Sequence, residues 1–388
     1  MAFDFPATPA LGQVFGNYIW DGEKWKLQGG QALGAVRYDT PQILSAGQQA
    51  QARSNIAAPD LSALAYSGMQ INGSMEVSQE KGTTVYSFTN TFGYAVDGWM
   101  VACFGATGSV NGLQNAFSGQ VPGLINFLSV QCGTANPMSG ANDAVYVFQP
   151  IEGYRWARLG FGSASAQSVT IGFWILAELT GTMAVSLRGG GGRSYVIDVP
   201  IATVGWQYKT VIIPGDVAGA WVTNNTSGVS LAFCFGAGSG RKTPANTWIA
   251  GDFIASPATT NFFTTVNKSV FISGVVVLPG TQAPTAAQSP LIMRPYDQEL
   301  LTCQRYYGKD EGLSQFGYQT SAVDTFRRTV VHFKNTMRIA PPTVTVALGV
   351  VVPIIANTVT AQSFSVLLNP NNTNTGVYIT GWTADARL

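Results

Sequence analysis

Apolar and polar positions alternate through much of this sequence. In SVTIGFWIL every second residue from Val169 to Ile175 is apolar, and GVSLAFCF repeats the pattern from Val229 to Phe235. Successive side chains of a β-strand point to opposite faces of its sheet, so these runs predict strands with one face in a core. Gly, Asn and Pro clusters separate the runs at intervals typical of a sandwich. The pattern predicts an antiparallel, jelly-roll-like β-sandwich over residues 70–290.

The first forty residues have shorter apolar runs and predict a separate small module. Asp21-Gly22 stands between YIW and KWKL, and Gly supplies the positive φ that a hairpin turn requires. Trp20 and Trp25 flank this turn on two predicted short strands. Thirty residues make a poor core, so the hairpin of residues 1–40 is expected to lean on a partner.

Residues 41–69 predict a short helix followed by a linker. Ser45 and Gln48 have the spacing of a capping box, and Pro59 stops the helix. A helix this short is barely stable alone, which suits bundling with copies of itself around an axis.

A second helix is predicted in RPYDQELLTCQRYYGKD, with Asp297 as its N-cap and Gly308 as its end. Apolar residues recur there at spacings of four, three and four, which predicts one stripe along the helix. The stripe consists of Tyr296, Leu300, Cys303 and Tyr307. We expect it to pack against the sandwich or against its copies across a three-fold axis. This connector takes residues 291–308, and β-patterned runs over 309–388 predict a small C-terminal β domain.

Charge is scarce along the whole chain. Charged residues make up 11% of the 388 positions, against about 25% in a typical soluble protein, and the net charge is +1. This balance gives no electrostatic footprint for nucleic acid and suits an obligate oligomer. No run reaches about 18 consecutive apolar residues, and the start lacks a basic, apolar leader, so neither a membrane span nor a signal peptide is expected.

Metal and thiol chemistry have little support. The four cysteines form no CxxC pair, and His332 is the single histidine. A zinc site needs clustered Cys and His ligands, so neither a metal nor another cofactor is expected. We predict free, mostly buried thiols and synthesis in a reducing compartment.

Catalytic motifs are also weak. The loop GAGSGRKT (236–243) resembles a phosphate-binding loop, but Arg241 stands where the motif requires Gly, and no helix pattern follows. His332 alternates within a predicted strand, and no Gly-x-Ser-x-Gly elbow accompanies it. Glycoside hydrolysis needs two facing carboxylates. The acidic residues of suitable type are Asp143, Glu152, Asp198, Asp216 and Asp252. The sequence does not pair them, and it favours a protein without catalytic residues.

Aromatic residues are the best binding candidates, because their faces stack on sugar rings. Most aromatic side chains nevertheless belong to cores, since they bury large areas. The selected candidate ligand contacts are Trp99, Tyr154, Trp156 and Trp174. Trp174 alternates with Phe173, so one of these two rings must face away from the core.

Several segments, in order, resemble fibre proteins of tailed bacteriophages. FPATPALGQVFGNYIWDGEKWK resembles the N-terminal modules of phage virion proteins, and LSAGQQAQARSNIAAP resembles a segment common in tail fibres. VDGW, NTWIAGDF and RPYDQELLTCQRYYGK resemble a carbohydrate-binding-like sandwich of phage and prophage fibres, and GVYITGWTADARL resembles a fibre C-terminus.

This resemblance implies a homotrimeric virion fibre that is synthesised in the host cytoplasm. Its N-terminal module, with Trp20 and Trp25, is expected to anchor it to other virion proteins. Its distal β domains are expected to bind a host surface polysaccharide or lipopolysaccharide, without nucleic acid or membrane as partners. Two alternatives remain: a neck, collar or head fibre with a purely structural role, and a polysaccharide depolymerase.

Overall fold

A computed structural model describes two compact units, Met1–Pro59 and Asp60–Leu388. The residues described are 5–16, 18–27, 45, 47–48, 51–52, 68–189, 191–310, 314–318, 327–348, 354–368 and 377–388. Predictions that fall on the remaining residues, including the Pro59 helix stop and most of the 41–69 linker, lie outside this description.

The N-terminal unit contains an antiparallel sheet of β1 (Val14–Phe15), β2 (Tyr18–Trp20) and β3 (Trp25–Leu27). Asp21 stabilises the β2–β3 turn, because its Oδ1 accepts hydrogen bonds from the amides of Glu23 (3.0 Å) and Lys24 (2.8 Å). Gly22 has φ +104°, which confirms the hairpin prediction; β1 is an additional strand.

Two features that the sequence indicates for this unit are present in the structure. Trp20 and Trp25 are directly paired across the hairpin, with ring centroids 5.6 Å apart. Farther along, the Gln48 amide donates to Ser45 Oγ (3.3 Å) while Ser45 N donates to Gln48 Oε1 (2.9 Å). The predicted capping box is therefore confirmed.

The second unit is mostly β and begins with a two-sheet sandwich. Its strands are β4 (Tyr86–Phe88), β5 (Thr91–Val96), β6 (Trp99–Phe104), β7 (Ser109–Ala116), β8 (Asn126–Thr134), β9 (Ala144–Glu152), β10 (Val169–Ala177), β11 (Gly181–Gly189), β12 (Arg193–Ile201), β13 (Gln207–Ile213), β14 (Ser227–Ala237), β15 (Trp248–Ala250) and β16 (Ser269–Pro279). Short helical segments interrupt them at α1 (Gly153–Trp156), at the 3₁₀ turns Ala157–Leu159 and Ser239–Arg241, and after β16 at the 3₁₀ turn Ser289–Ile292.

Two antiparallel sheets enclose the main core. The first has the order β13-β10-β16-β8-β7-β4 and the second the order β15-β12-β11-β14-β9-β6-β5. The runs from Val169 to Ile175 and from Val229 to Phe235 place their alternate apolar residues between the sheets, at most 1% exposed. The predicted alternation is confirmed, and with it an antiparallel sandwich.

An irregular segment, 68–77, fills part of the β16 edge. β8 pairs only with Ser269–Ile272 of β16, and the segment satisfies backbone groups farther along that strand. Met69 N donates to Val277 O (2.9 Å), and Val275 N donates to Gly73 O (2.9 Å). Apolar side chains of the segment, such as Ile71, are buried. This segment is part of the folded sandwich, although its sequence has no strand or helix period.

The connector helix is α2 (Tyr296–Gln304), and it differs from the prediction at both ends. Pro295 occupies the N-cap position without a side-chain cap, and Asp297 lies in the first turn, so the predicted Asp297 cap is wrong. The helix ends before Gly308 because Tyr307 already begins β17 (Tyr307–Asp310), whose pairing with a C-terminal strand replaces helical hydrogen bonds.

The predicted stripe of α2 is correct only in part. Cys303 is 2% exposed and packs with Ile71, while Leu300 lies against the same cluster. Tyr296 is 55% exposed and does not join them, and Tyr307 is buried from a strand rather than from the helix. Burial raises the pKa of the Cys303 thiol well above its usual value, so this residue behaves as a small hydrophobe. All four cysteines are free and buried, as predicted.

The C-terminal region contains two small sheets. Its further strands are β18 (Ser314–Tyr318), β19 (Arg327–His332), β20 (Thr343–Leu348), β21 (Ile354–Val359), β22 (Ser363–Leu368) and β23 (Val377–Asp385). β17, β18 and β20 pair with β23, while β19 and β21 pair with β22. A core that includes Phe364, Ile379 and Trp382 joins the two sheets. The predicted β-rich C-terminal region is confirmed.

Candidate functional site

Two of the predicted ligand-binding rings are part of the core. Trp99 is 0% exposed, and its Nε1 donates to the carbonyls of Ile71 and Asn72, both at 3.0 Å. Trp156 is 1% exposed and packs edge-on against Phe161 at 5.3 Å. Neither ring presents a face to solvent, so both are corrected from candidate ligand contacts to core residues.

The other two predicted rings lie at the surface, in different places. Trp174 points away from the core, as its alternation predicts, and its Nε1 donates to Ser289 Oγ (3.0 Å). Ser289 belongs to the 3₁₀ turn after β16, and the ring of Tyr208 on β13 lies 5.4 Å from the Trp174 ring, so both partly cover it. Tyr154, on α1, is 62% exposed and stays a candidate contact.

A different aromatic surface stands out on the outer face of the seven-stranded sheet. We call it the outer aromatic row, and it consists of Phe92, Phe104, Tyr146 and Phe148. Neighbouring ring centroids in the row are 5.2–6.4 Å apart. Phe92 is 56% exposed, while Phe104 and Phe148 are half-buried. Three phenyl rings therefore meet solvent side by side on rigid strands.

Strand alternation explains why these rings face outward. Val145 and Val147 of β9 enter the core between the sheets, so Tyr146 and Phe148 must lie on the opposite face. The centre of this outer face carries small residues that are fully buried and pack with the rings and with Ile254 and Ala255 of the loop after β15. These small residues are Ala102, Ala144, Ala184, Ala232 and Cys234.

A charged cluster, Arg188–Asp252–Arg241, adjoins the row. Arg188 Nη1 donates to Asp252 Oδ1 at 2.7 Å, and Arg241 Nη1 donates to Asp252 Oδ2. The Arg188 guanidinium also lies 5.5 Å from the centre of the Tyr146 ring, a cation–π distance. Arg188 thus joins the cluster to the aromatic row and accounts for the burial of Tyr146.

The charged cluster keeps its carboxylate ionised and accessible. Partial burial raises the pKa of Asp252, but the two guanidinium groups lower it by a larger amount, so the net shift is downward. The Asp252 side chain is 57% exposed, against 12% for Arg188 and 26% for Arg241. The group that a ligand meets first is therefore a negative carboxylate supported from behind by two cations.

The loop over residues 251–255 holds Asp252 in place. Ser194 Oγ donates to Gly251 O (2.9 Å) and accepts from Phe253 N (3.2 Å), which fastens the loop to β12. Ile254 N and Ala255 N both donate to Arg241 O, at 3.1 and 3.2 Å. Arg241 therefore positions Asp252 through both its backbone and its side chain.

Several buried polar atoms around this cluster have no partner. Eight such side-chain atoms occur among the described residues, and four belong here: Ser186 Oγ, Arg188 Nε, Arg241 Nε and Thr243 Oγ1. Buried polar groups are normally hydrogen-bonded. These four atoms lie beneath the surface, so they do not themselves contact a ligand.

The remaining acidic candidates for glycoside cleavage each have a structural partner. Asp143 accepts from Gly140 N, Glu152 from Arg305, Asp198 from Ser256 Oγ, and Asp216 from Arg193. His332 is exposed on β19, and the 236–243 loop contributes a 3₁₀ turn and Arg241. No cluster of three or more His, Cys, Asp or Glu that could hold a metal is found in the described part of the chain.

The sequence did not single out this site, because its residues come from β5, β6, β9, β11, the 3₁₀ turn at Arg241 and the loop at Asp252, which lies 64 positions from Arg188 and 160 from Phe92. One signal was present: AVYVFQ alternates valines with Tyr146 and Phe148, so these rings had to face away from the valines. In the sequence, Arg241 is notable only as the residue that breaks the phosphate-loop pattern. Asp252 is notable only as an acidic residue of the type that glycoside hydrolysis requires.

Solved structures that partly resemble this chain include a phage tailspike domain, a carbohydrate-binding module and a bacterial adhesin domain. The enzymatically active domain of tailspike protein 4 from bacteriophage CBA120 is 10% identical over 55% of this chain and 21% of its own, with a TM-score of 0.30. The family 11 carbohydrate-binding module of a Clostridium thermocellum cellulase is 11% identical over 54% of this chain and 96% of its own, with a TM-score of 0.25. The adhesin domain of Lys-gingipain from Porphyromonas gingivalis is 11% identical over 52% and 99%, with a TM-score of 0.25.

At these identities and scores the likeness carries no functional argument, so the function is argued from the site itself. No protein-family model and no curated protein matches the sequence. Among the helices of the described residues, none has the length and hydrophobicity to cross a membrane.

Proposed function

We propose that this protein is a non-catalytic, glycan-binding fibre of a tailed-phage virion. The observation that carries the proposal is the outer aromatic row, exposed on rigid strands beside an ionised carboxylate. Binding sites for small polar ligands combine apolar faces with a few positioned polar groups, and this surface has both. The resemblance of the N-terminal and connector segments to phage fibre proteins supports the proposal that the protein is a fibre.

The row suits pyranose rings for a physical reason. A sugar ring has an apolar face of C–H groups and a rim of hydroxyls, so it gains by stacking on an aromatic face while its rim reaches polar side chains. Phe92 and Phe148 offer ring area that is already pre-organised by packing at 6.1 Å. Rigid contacts reduce the entropy that binding would otherwise cost.

The absence of catalysis is part of the proposal. Inverting and retaining glycosidases need two carboxyl groups that flank one bond. Here Glu152 and Asp216 are 3% and 1% exposed and are paired with arginines, while Asp252 is held between two more. These pairings support a surface that binds glycan and does not cleave it.

Ring removal tests the binding function. Phe92→Ala and Phe148→Ala are each expected to weaken binding to the recognised polysaccharide by roughly 2–12-fold, since an aromatic contact contributes about 0.5–1.5 kcal/mol beyond its area. The matched control is Ile125→Ala, which removes an apolar side chain that is 64% exposed elsewhere. Binding measured on an array of bacterial surface polysaccharides should fall for the two ring variants alone. Equal binding by all variants would contradict the proposed site.

Virion location separates the fibre roles. We propose a homotrimer at the tail, held by the N-terminal hairpin with Trp20 and Trp25, whose three sites bind weakly but together. Light scattering should give about three times the chain mass of 41.1 kDa. Antibody labelling of virions in the electron microscope should mark tail fibres; labelling at the neck, collar or head would favour the purely structural alternative.

A further inference from the structure

The charged cluster indicates which class of glycan the surface takes. A carboxylate has two oxygens with about four lone-pair sites in total. In Asp252 one N–H from Arg188 and one from Arg241 occupy one site on each oxygen. Because the side chain is 57% exposed, the other sites are open to a donor from solvent.

We propose that Asp252 is the polar recognition group for an uncharged glycan, accepting hydrogen bonds from two neighbouring hydroxyl groups of one pyranose unit while another unit of the same glycan stacks on the outer aromatic row. This inference rests on the proposed function and adds the substrate class. The ligand is a neutral, vicinal-diol-bearing hexose polymer, not a uronic acid or phosphate-bearing one.

Exposure decides between a neutral and an anionic ligand. Two arginines against one aspartate give the cluster a net positive charge, which alone would suit an anion. Arg188, however, donates from Nη1 to Asp252 and from Nη2 to Ser230 Oγ (3.1 Å), and its Nε is buried. An approaching anion would meet the Asp252 carboxylate before either guanidinium, and like charges at contact distance repel. Hydroxyl donors meet an acceptor that two cations have fixed in place.

The guanidinium support makes these hydrogen bonds strong. Hydrogen bonds to ionised acceptors are shorter and roughly twice as strong as neutral ones. Asp252 cannot swing away, because both of its oxygens are held and the flanking residues Gly251 and Phe253 are tied to Ser194.

The test uses the full chain and defined polysaccharides. Neutral probes whose internal residues keep a vicinal diol are dextran, β-1,4-mannan and β-1,4-galactan; acidic probes are alginate and polygalacturonate. Affinity electrophoresis and calorimetry compare wild type with Asp252→Asn, which removes the charge and one acceptor at nearly constant shape. Asp297→Asn is the matched control, because it neutralises an exposed aspartate on α2. Circular dichroism verifies that each variant is folded.

The expected result is binding to at least one neutral probe that is insensitive to salt and at least about tenfold weaker for Asp252→Asn. Arg241→Gln should weaken neutral binding by less than Asp252→Asn does, because it frees Asp252 Oδ2 while Arg188 still holds Oδ1. An anionic ligand predicts the reverse: salt-sensitive binding of alginate or polygalacturonate that strengthens for Asp252→Asn and collapses for Arg241→Gln. That reverse pattern overturns the inference.

Failure of the inference is distinguishable from failure of the proposed function. If a neutral probe binds and Phe148→Ala weakens it while Asp252→Asn does not, the platform stands and the role of Asp252 is wrong. Binding to acidic probes alone also overturns only the inference. If wild type binds none of these probes and nothing on the array of bacterial surface polysaccharides, both are overturned.

Discussion

Asp97 is a carboxyl group buried away from the proposed binding face. It lies in the turn between β5 and β6 and is 6% exposed. Oδ1 accepts from Gln79 N (2.9 Å) and Oδ2 from Gln79 Nε2 (2.6 Å), while Gln79 Nε2 also donates to Tyr307 O (2.8 Å). Burial raises the pKa of Asp97 from 3.8 to about 6, against these hydrogen bonds and the nearby Arg387.

The sign of the resulting pH dependence follows from linkage. The folded chain holds the Asp97 proton more tightly than the unfolded chain, so this residue stabilises the fold below about pH 4. That contribution is lost as the pH rises to about 6. At ~1.36 kcal/mol per pKa unit, a shift of roughly two units corresponds to up to about 3 kcal/mol.

Asp97→Asn should therefore flatten the pH dependence of stability. Between pH 4 and pH 7, the free energy of unfolding of the variant should fall by up to about 3 kcal/mol less than that of wild type. Urea denaturation followed by tryptophan fluorescence at pH 4, 5, 6 and 7 measures this difference. Asp297→Asn, at an exposed position, should keep the wild-type slope. Parallel curves for Asp97→Asn and wild type would show that Asp97 titrates normally.

Single residues also show where sequence reasoning ends. Alternation correctly predicted that Phe173 enters the core and Trp174 leaves it. It could not place Trp99, because the irregular segment 68–77 covers that ring and has no period of its own. Tyr146 and Arg188 became neighbours only through strand order, because β14 follows β9 and β11 in sequence but lies between them in the sheet.

At the scale of elements, α2 is held by one polar and one apolar contact surface. Glu299 is 3% exposed; its Oε1 accepts from Asn72 N (2.8 Å), and Arg294 Nη1 lies 3.0 Å from its Oε2. The apolar surface packs Leu300 and Cys303 against the 68–77 segment. The helix therefore closes over a segment that has no regular structure and keeps it in place.

Adjacent leucines on α2 give a matched test. Leu300→Asp should lower the free energy of unfolding by roughly 2–4 kcal/mol, because it places a charge in a packed apolar cluster. Leu301→Asp alters a side chain that is 49% exposed and should change it by less than about 1 kcal/mol. If the connector helix also organises the distal domain in the assembly, Leu300→Asp should lose protease-resistant, full-length trimers. Equal denaturation midpoints for the two variants would contradict the packing role of Leu300.

The sequence predicted the existence of α2 but not its ends. Its helical period stops at Gln304, and the residues from Tyr307 to Asp310 pair with β23, 72 to 78 positions away. Helix signals are local, whereas that pairing is long-range, so Gly308 looked like a helix end although it lies within a strand. The hairpin at Asp21-Gly22 was predicted correctly because turn and strands are neighbours in sequence.

At the scale of the second unit, Arg338 joins the C-terminal region to the sandwich. Its side chain donates to three backbone carbonyls, with Nε to Ala386 (2.7 Å), Nη1 to Asn225 (2.8 Å) and Nη2 to Arg387 (2.9 Å). Asn225 Nδ2 donates in return to Arg338 O (2.8 Å). Asn225 belongs to the loop before β14, so one arginine ties the chain terminus and the sandwich together. Nothing in the local sequence KNTMRIAPP predicts this role, since all its partners are distant.

Arg338→Met should weaken the contact between the C-terminal region and the sandwich more than it destabilises the apolar core of either. The substitution retains length and apolar contact but leaves three carbonyls without their donors, and each buried unsatisfied group costs about 1–3 kcal/mol. We expect the free energy of unfolding to fall by roughly 2–4 kcal/mol and limited proteolysis to release the region after α2 first. Arg338→Lys should rescue little, because an ammonium cannot span three separated carbonyls as a planar guanidinium does. Lys334→Met, at an exposed position, is the control and should leave both readouts unchanged. A stable, protease-resistant Arg338→Met variant that still binds glycan would show that the hydrogen bonds of Arg338 are not needed to join the sandwich and the C-terminal region.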